Sequence, residues 1–405
     1  MRLPFGRRRM AGTDTADLPE RNEYYENISA NLGIFQVILY LSLFAFIILS
    51  FAKNTGLITY QNFYHFFRDL NASVQTVDTS LPDSLTYPTD DKQSITLFRQ
   101  GVAVAGNKNV TLFTATGRQT VSQITSFANP VATASDKYLL VYDFGGMKYE
   151  LYNSYTRVFS GESEEPILGA TISDSGSYAL ITQSKRYASV VSLYSNRFTL
   201  LGEYRKTGYV MDVSINEKGN LLAILTSRSL GGFWTTELEL FKPGEERPRA
   251  SANLGDAIGL ACAFTSSGRL AVLTEGAVLS LNEAGAIETK YSLDGREIAL
   301  FDVGAQGVTV SLTSVSVSQK NTLIVFDKNG KILYNNDEPE ISEQIVRTKD
   351  TVLLLTANGV GRINSTDGSY SWYPCNTQNR RLLAIDSGEF ILCSPQKAEY
   401  FEFDS

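Results

Sequence analysis

One short pattern is written eight times in this 405-residue chain: a polar turn, usually on glycine, followed by a run of strand-forming residues. "SDSGSYALI" at 173–181 returns as "NEKGNLLAIL" at 216–225, "SSGRLAVLT" at 266–274 and "DSGEFILC" at 386–393. Aligned on the turn, the copies fall at Gly101, Lys137, Gly176, Gly219, Gly268, Gly307, Asp350 and Gly388, with gaps of 36, 39, 43, 49, 39, 43 and 38 residues. A second turn follows each of the first seven, at Gly117, Asn153, Asn196, Gly244, Gly285, Gly330 and Gly368. Glycine and asparagine are expected there because hairpin turns need positive φ.

Between the turns, apolar and polar residues alternate, as in "NTLIVFDKNGKILYN" at 321–335, or run apolar, as in "TVLLLTA" at 351–357. Each unit therefore holds about four short strands. A period near 41 residues built of strands is that of a β-propeller blade, which buries its faces only against its neighbours in a closed ring. Helical repeats of similar length would need long stretches of 3.6-residue period, and none follows Leu70. The expected fold is all-β, a propeller of eight four-stranded blades. Seven is the alternative count, because the partial units at the two ends could merge. The last unit, 380–403, holds only "RLLAI", "EFILC" and "AEYFEF", so a strand from the other end should complete it. "SVQTVDT" at 73–79 is the expected latch, since a closed ring leaves no open sheet edge.

The second constraint is apolar length. Residues 32–52, "LGIFQVILYLSLFAFIILSFA", carry no charge, and 21 residues of helix span the ~30 Å hydrocarbon core of a bilayer. Arg2, Arg7, Arg8, Arg9 and Arg21 precede this stretch, whereas only Lys53 and Arg68 follow closely, so the N-terminus is expected in the cytoplasm and the remainder outside. Ser50-Phe51-Ala52 resembles a signal-peptidase site. The apolar core exceeds the roughly 7–15 residues of a signal peptide, which favours an uncleaved signal anchor. In "YQNFYHFFRDL", Tyr60, Phe63, Tyr64 and Phe67 share one helical face suited to the membrane interface or to docking on the next domain. The expected organisation is a cytoplasmic leader (1–31), an anchor (32–52), a juxtamembrane helix (53–72) and an extracytoplasmic propeller (73–405), with 80–91 as a linker.

The turn-strand pattern resembles the WD40-like and quinoprotein-like propeller superfamilies, without the Trp-Asp signature of true WD40 repeats. The whole layout is similar to a Gram-positive bacterial family of single-pass, membrane-anchored extracytoplasmic propellers. That resemblance implies architecture and no activity.

Chemistry is sparse. His65 is the only histidine and lies before the repeats, which excludes a histidine-based triad or metal site among them. Cys262, Cys375 and Cys393 form no CxxC; at most Cys375 and Cys393 could pair. A net charge of −7 without a basic stripe argues against nucleic acid. No catalytic residue, cofactor or metal site is expected. "DKNG" at 327–330 lacks the remaining ligands of a calcium loop and reads as a hairpin turn. Two stretches depart from minimal turns. "GESEEP" at 161–166 gathers Glu162, Glu164 and Glu165, either solvated or an acid/base pair with another carboxylate. "GGFWTTE" at 231–237 offers Phe233 and Trp234 on an inserted loop, as a binding hot spot or as strand packing. The expected function is a scaffold for an envelope protein, peptide or glycan. The alternatives are a carboxylate-based extracellular hydrolase or lyase, and a sensor acting through a cytoplasmic partner.

Overall fold

The structure is a computed structural model that describes residues 35–36, 38–45, 84–314, 320–378 and 380–403. The chain divides into two units, Met1–Gln75 and Thr76–Ser405. In the first, 35–36 and 38–45 are helical, and Phe35, Ile38, Leu39, Leu41, Leu43 and Phe44 are each more than half exposed. Among the described residues no helix is long and apolar enough to cross a membrane. Tyr60, Phe63, Tyr64, Phe67 and residues 73–79 lie outside the described residues.

The second unit is an eight-bladed propeller of four-stranded antiparallel sheets. Seven blades are built from consecutive strands, over residues 93–124, 130–162, 167–206, 209–255, 259–292, 298–337 and 342–374. All eight aligned turns fall between the first and second strands of a blade, and all seven second turns between the third and fourth. Five of those seven have glycine at positive φ, Gly330 for example at 80°. The two asparagines work differently. The Asn153 side-chain oxygen accepts the Tyr155 and Thr156 amides, both at 2.9 Å, and near Asn196 it is Phe198 that takes the positive φ of 63°.

The eighth blade joins Arg381–Ala384, Glu389–Cys393 and Lys397–Glu402 to Ser84–Thr86. A strand from the N-terminal side does complete the ring, but it is Ser84–Thr86, inside the segment read as a linker, and not 73–79. Ser84 pairs with Glu399 and Thr86 with Lys397. The core explains why three residues suffice. Eight buried apolar clusters sit one at each blade–blade junction, and the one spanning the closure holds Leu85 and Tyr87 with Ile391, Cys393, Ile95 and Val102.

Strand alternation gives the disc two faces. The repeated turns form the turn face. Connections between second and third strands, and crossings between blades, form the crossover face. Each innermost strand has a free edge, and buried edge amides need partners. Side chains of neighbouring blades supply several: Ser94 Oγ accepts the Ala132 amide at 3.2 Å, Asp302 accepts that of Arg347 at 2.6 Å, and Gln344 exchanges two 2.9 Å bonds with Leu382.

Candidate functional site

The innermost strands of five consecutive blades share one irregularity. Pairing slips between Ile167 and Gly169, Val210 and Asp212, Gly259 and Ala261, Ile298 and Leu300, and Ser342 and Gln344. A bulge re-aims the extra residue and tightens the local twist. The extra residues are Leu168, Met211, Leu260, Ala299 and Glu343, all at the crossover-face end of the strands around the central axis.

Leu168 and Met211 belong to an apolar arc over blades 2 to 4. With Phe144, Met147, Tyr209, Phe233 and Trp234 they are 38–71 % exposed. The arc is anchored by backbone. The Gly145 amide donates to Ile167 O at 2.8 Å and the Ile167 amide to Gly146 O at 2.7 Å, which sets Phe144 beside Leu168. A Cβ on Gly146 would lie 2.3 Å from the Asp143 carboxylate. That carboxylate accepts the Ala128 and Asn129 amides at 2.9 and 2.6 Å, so glycine is what lets it fix the loop.

The acidic stretch lies against the same arc, because the Ser163 amide donates to Met147 O at 2.8 Å. Glu162 and Glu164 are exposed and Glu165 is half-buried. The structure places Glu162, Glu164 and Glu165 at the crossing from blade 2 to blade 3, and Phe233 and Trp234 at the crossover-face end of blade 4. Two details differ from the sequence reading. Residues 231–237 are not an inserted loop but the tip of a lengthened hairpin, Leu222–Leu230 and Phe233–Phe241. Consecutive strand residues point to opposite faces, so Phe233 and Trp234 do not form a single patch. Phe144, Met147, Leu168, Tyr209 and Met211 escaped the sequence reading. Only the Gly145-Gly146 pair hints at a special loop there, and nothing local marks a bulge.

Beneath the arc, Asp212 Oδ2 accepts the Cys262 amide of the next blade and Oδ1 the Val213 amide, both at 2.8 Å. Desolvation outweighs these bonds and pushes its carboxyl up to about 6. Asp302 is raised for the same reason, against the opposing pull of the Arg347 amide and guanidinium. All three cysteines are free thiols; burial raises Cys262 and Cys375 and lifts Cys393 to about 12, the reverse of an activated nucleophile. Residues 327–330 form the hairpin turn read from the sequence, with Asp327 Oδ1 accepting the Asn329 and Lys331 amides at 2.8 Å.

Clefts open on both faces among the described residues. One of about 610 Å³ on the crossover face has Asp91, Asn129, Pro130, Phe144 and Pro395 in its walls. One of about 710 Å³ on the turn face mixes Asp136, Asp174 and Glu217 with Lys218, Lys242 and Arg249. Among the described residues no group of three His, Cys, Asp or Glu could hold a metal ion.

A family described as a family of unknown function (DUF5711) matches residues 76–399. The propeller is similar to Sqt1 from Chaetomium thermophilum, solved bound to the N-terminus of ribosomal protein L10. That match has a TM-score of 0.55 and 12 % identity and covers 79 % of this chain and 100 % of the other. BamB from Moraxella catarrhalis matches at 0.52 and 13 %, over 80 % and 99 %. A eukaryotic initiation factor matches at 0.54 and 12 %, over 80 % and 91 %. At these identities the likeness is one of fold. No curated protein matches the sequence significantly.

Proposed function

We propose that this chain, which belongs to the DUF5711 family of unknown function, is a binding propeller held at the outer face of a bacterial membrane that captures an envelope protein on its crossover face. The observation that carries this is the exposed arc of Phe144, Met147, Leu168, Tyr209 and Met211 on rigid, backbone-anchored elements. Aromatic and methionine side chains in the centre of a surface patch are what protein interfaces concentrate. Leucine and methionine offer sugar hydroxyls no hydrogen bonds, which disfavours a glycan. Glu162 and Glu164 beside the arc disfavour an anionic lipid surface. Sqt1, with its bound N-terminal segment, is an example of a propeller that takes a protein partner.

Anchoring rests on the uncharged stretch 32–52 and on the arginines before it. The test is photo-cross-linking in intact cells. A photoreactive residue at position 168 or 211 should give a discrete adduct with another protein. The same residue at Ile287, exposed toward the turn face, should give none. Adducts at 287 but not at 168 or 211 would overturn the reading.

A further inference from the structure

We infer that the hairpin over blade 4 is a strand-addition site whose outer edge, at 233–235, takes an extended segment of the partner polypeptide as one more strand. This rests on reading the crossover face as protein-binding, and it says what part of the partner is held there.

The two strands of the hairpin stay paired to its tip, where Leu230 faces Phe233. Their neighbours stop earlier. The inner ladder ends at Tyr209 opposite Ser227, and the outer one at Thr236 opposite Gly255. Residues 228–235 therefore project as a two-stranded ribbon whose edges pair with no strand among the described residues. Gly231 and Gly232 make the turn, at φ 62° and 88°, a two-residue form that matches strand twist. Such a turn closes on a hydrogen-bonded pair, Leu230 and Phe233. Alternation then turns the backbone groups of Trp234, Thr236, Leu238 and Leu240 outward. The Arg249 amide bonded to Leu240 O at 2.7 Å shows that alternation at the foot of the strand. Trp234 is the next residue in this register above Thr236, where the outer strand has ended, and no hydrogen bond among the described residues reaches its outward N–H or C=O.

The ribbon has a stiff base. Ser227 Oγ and Thr236 Oγ1 are 2.7 Å apart and fully buried. The Thr236 hydroxyl donates to Ala257 O at 2.5 Å, and Ser227 Oγ accepts the Gly259 amide at 2.9 Å. The two edges differ. Arg228 guards the inner one; the outer one, Phe233-Trp234-Thr235, has high strand propensity and neither charge nor proline. A free N–H and C=O side by side on a strand edge are the donor and acceptor that an extended polypeptide backbone matches in a sheet ladder. Phe233, 71 % exposed, and Trp234 would flank the added strand, one on each face.

The experiment pans a linear-peptide phage library on the full-length chain in nanodiscs, with counter-selection on Trp234→Pro. Proline removes the outward N–H but no bond within the hairpin, because Trp234 makes none there; Trp234→Ala removes the ring and keeps the N–H. Enriched peptides should bind Trp234→Pro at least tenfold more weakly than Trp234→Ala. Equal weakening by both, or no enrichment over Trp234→Pro, would overturn the inference. If Trp234→Pro lowers the unfolding midpoint, Thr235→Lys tests the same edge with every backbone bond kept, and unchanged peptide binding there overturns it too. Dimerisation that Trp234→Pro abolishes would assign the edge to a second copy and overturn the partner assignment. Peptides lost on Leu168→Glu but not on the edge variants sink strand addition and leave the protein-binding reading standing.

Discussion

The Tyr87 hydroxyl donates to Ser394 O at 2.6 Å across 307 residues of sequence, fastening the start of the propeller to its last blade. Tyr87 is buried, its amide also donates to Gln396 O at 3.0 Å, and burial with the neighbouring Cys393 thiol holds its phenol protonated. Tyr87→Phe should cost about 1 kcal/mol, the worth of one hydrogen bond. Tyr87→Ala should cost about 3–5 kcal/mol, because it also empties part of the closure core. Urea unfolding measures both. Equal losses would mean that the ring contributes nothing.

Asp212 sets a pH dependence. Unfolded, its carboxyl titrates near 3.9; folded, it titrates at about 6. Between those values the folded chain keeps a proton that the unfolded chain gives up, so stability is greater below about pH 4 and falls as pH rises through 6. Asp212 retains some solvent contact, so the loss should be on the order of 1–2 kcal/mol. Asp302, also raised, adds in the same direction. Asp212→Asn should flatten this slope, measured as urea midpoints from pH 4 to 7. An unchanged slope would exclude Asp212 as its source.

The Thr236 hydroxyl is wholly buried and bridges Ser227 and Ala257. Thr236→Val keeps the shape and strands those partners, so it should destabilise the propeller by about 1–3 kcal/mol. Phe233→Ala at the exposed tip should change stability by no more than about 0.5 kcal/mol while weakening partner capture. If Phe233→Ala unfolds the protein, the ring is a packing residue.

Reversing Glu162 and Glu164 to lysine should leave folding unchanged, since both side chains are exposed. Partner cross-linking at position 168 should fall, and its dependence on salt should weaken. Salt dependence identical to the parent protein would remove these carboxylates from the interface.

Protease added to intact cells should remove the propeller and leave a small membrane-bound N-terminal fragment. A protected propeller, or one free in the medium after cleavage at Ala52, would contradict the proposed anchoring.

The sequence alone determined the blades. Turn chemistry is local: glycine at positive φ and hydrogen-bonding asparagine or serine are legible one turn at a time, and their spacing pointed to eight four-stranded blades with seven as the alternative, which the closed ring resolves as eight. The sequence also showed that the last unit lacked a strand. It did not show which strand arrives, because Ser84–Thr86 is three residues between Pro82 and Pro88 and has no strand signature of its own. Only packing of Leu85 and Tyr87 into the closure core selects it. The acidic stretch and the aromatic pair stood out as departures from minimal turns, but their neighbours did not. Nothing local marks Leu168 and Met211 as exposed; a bulge turns each of them outward. Phe144 joins them only through a backbone bridge between blades. Those relations depend on register and on contact across blades, which no local pattern encodes, so the tertiary structure decided which side chains share the crossover face.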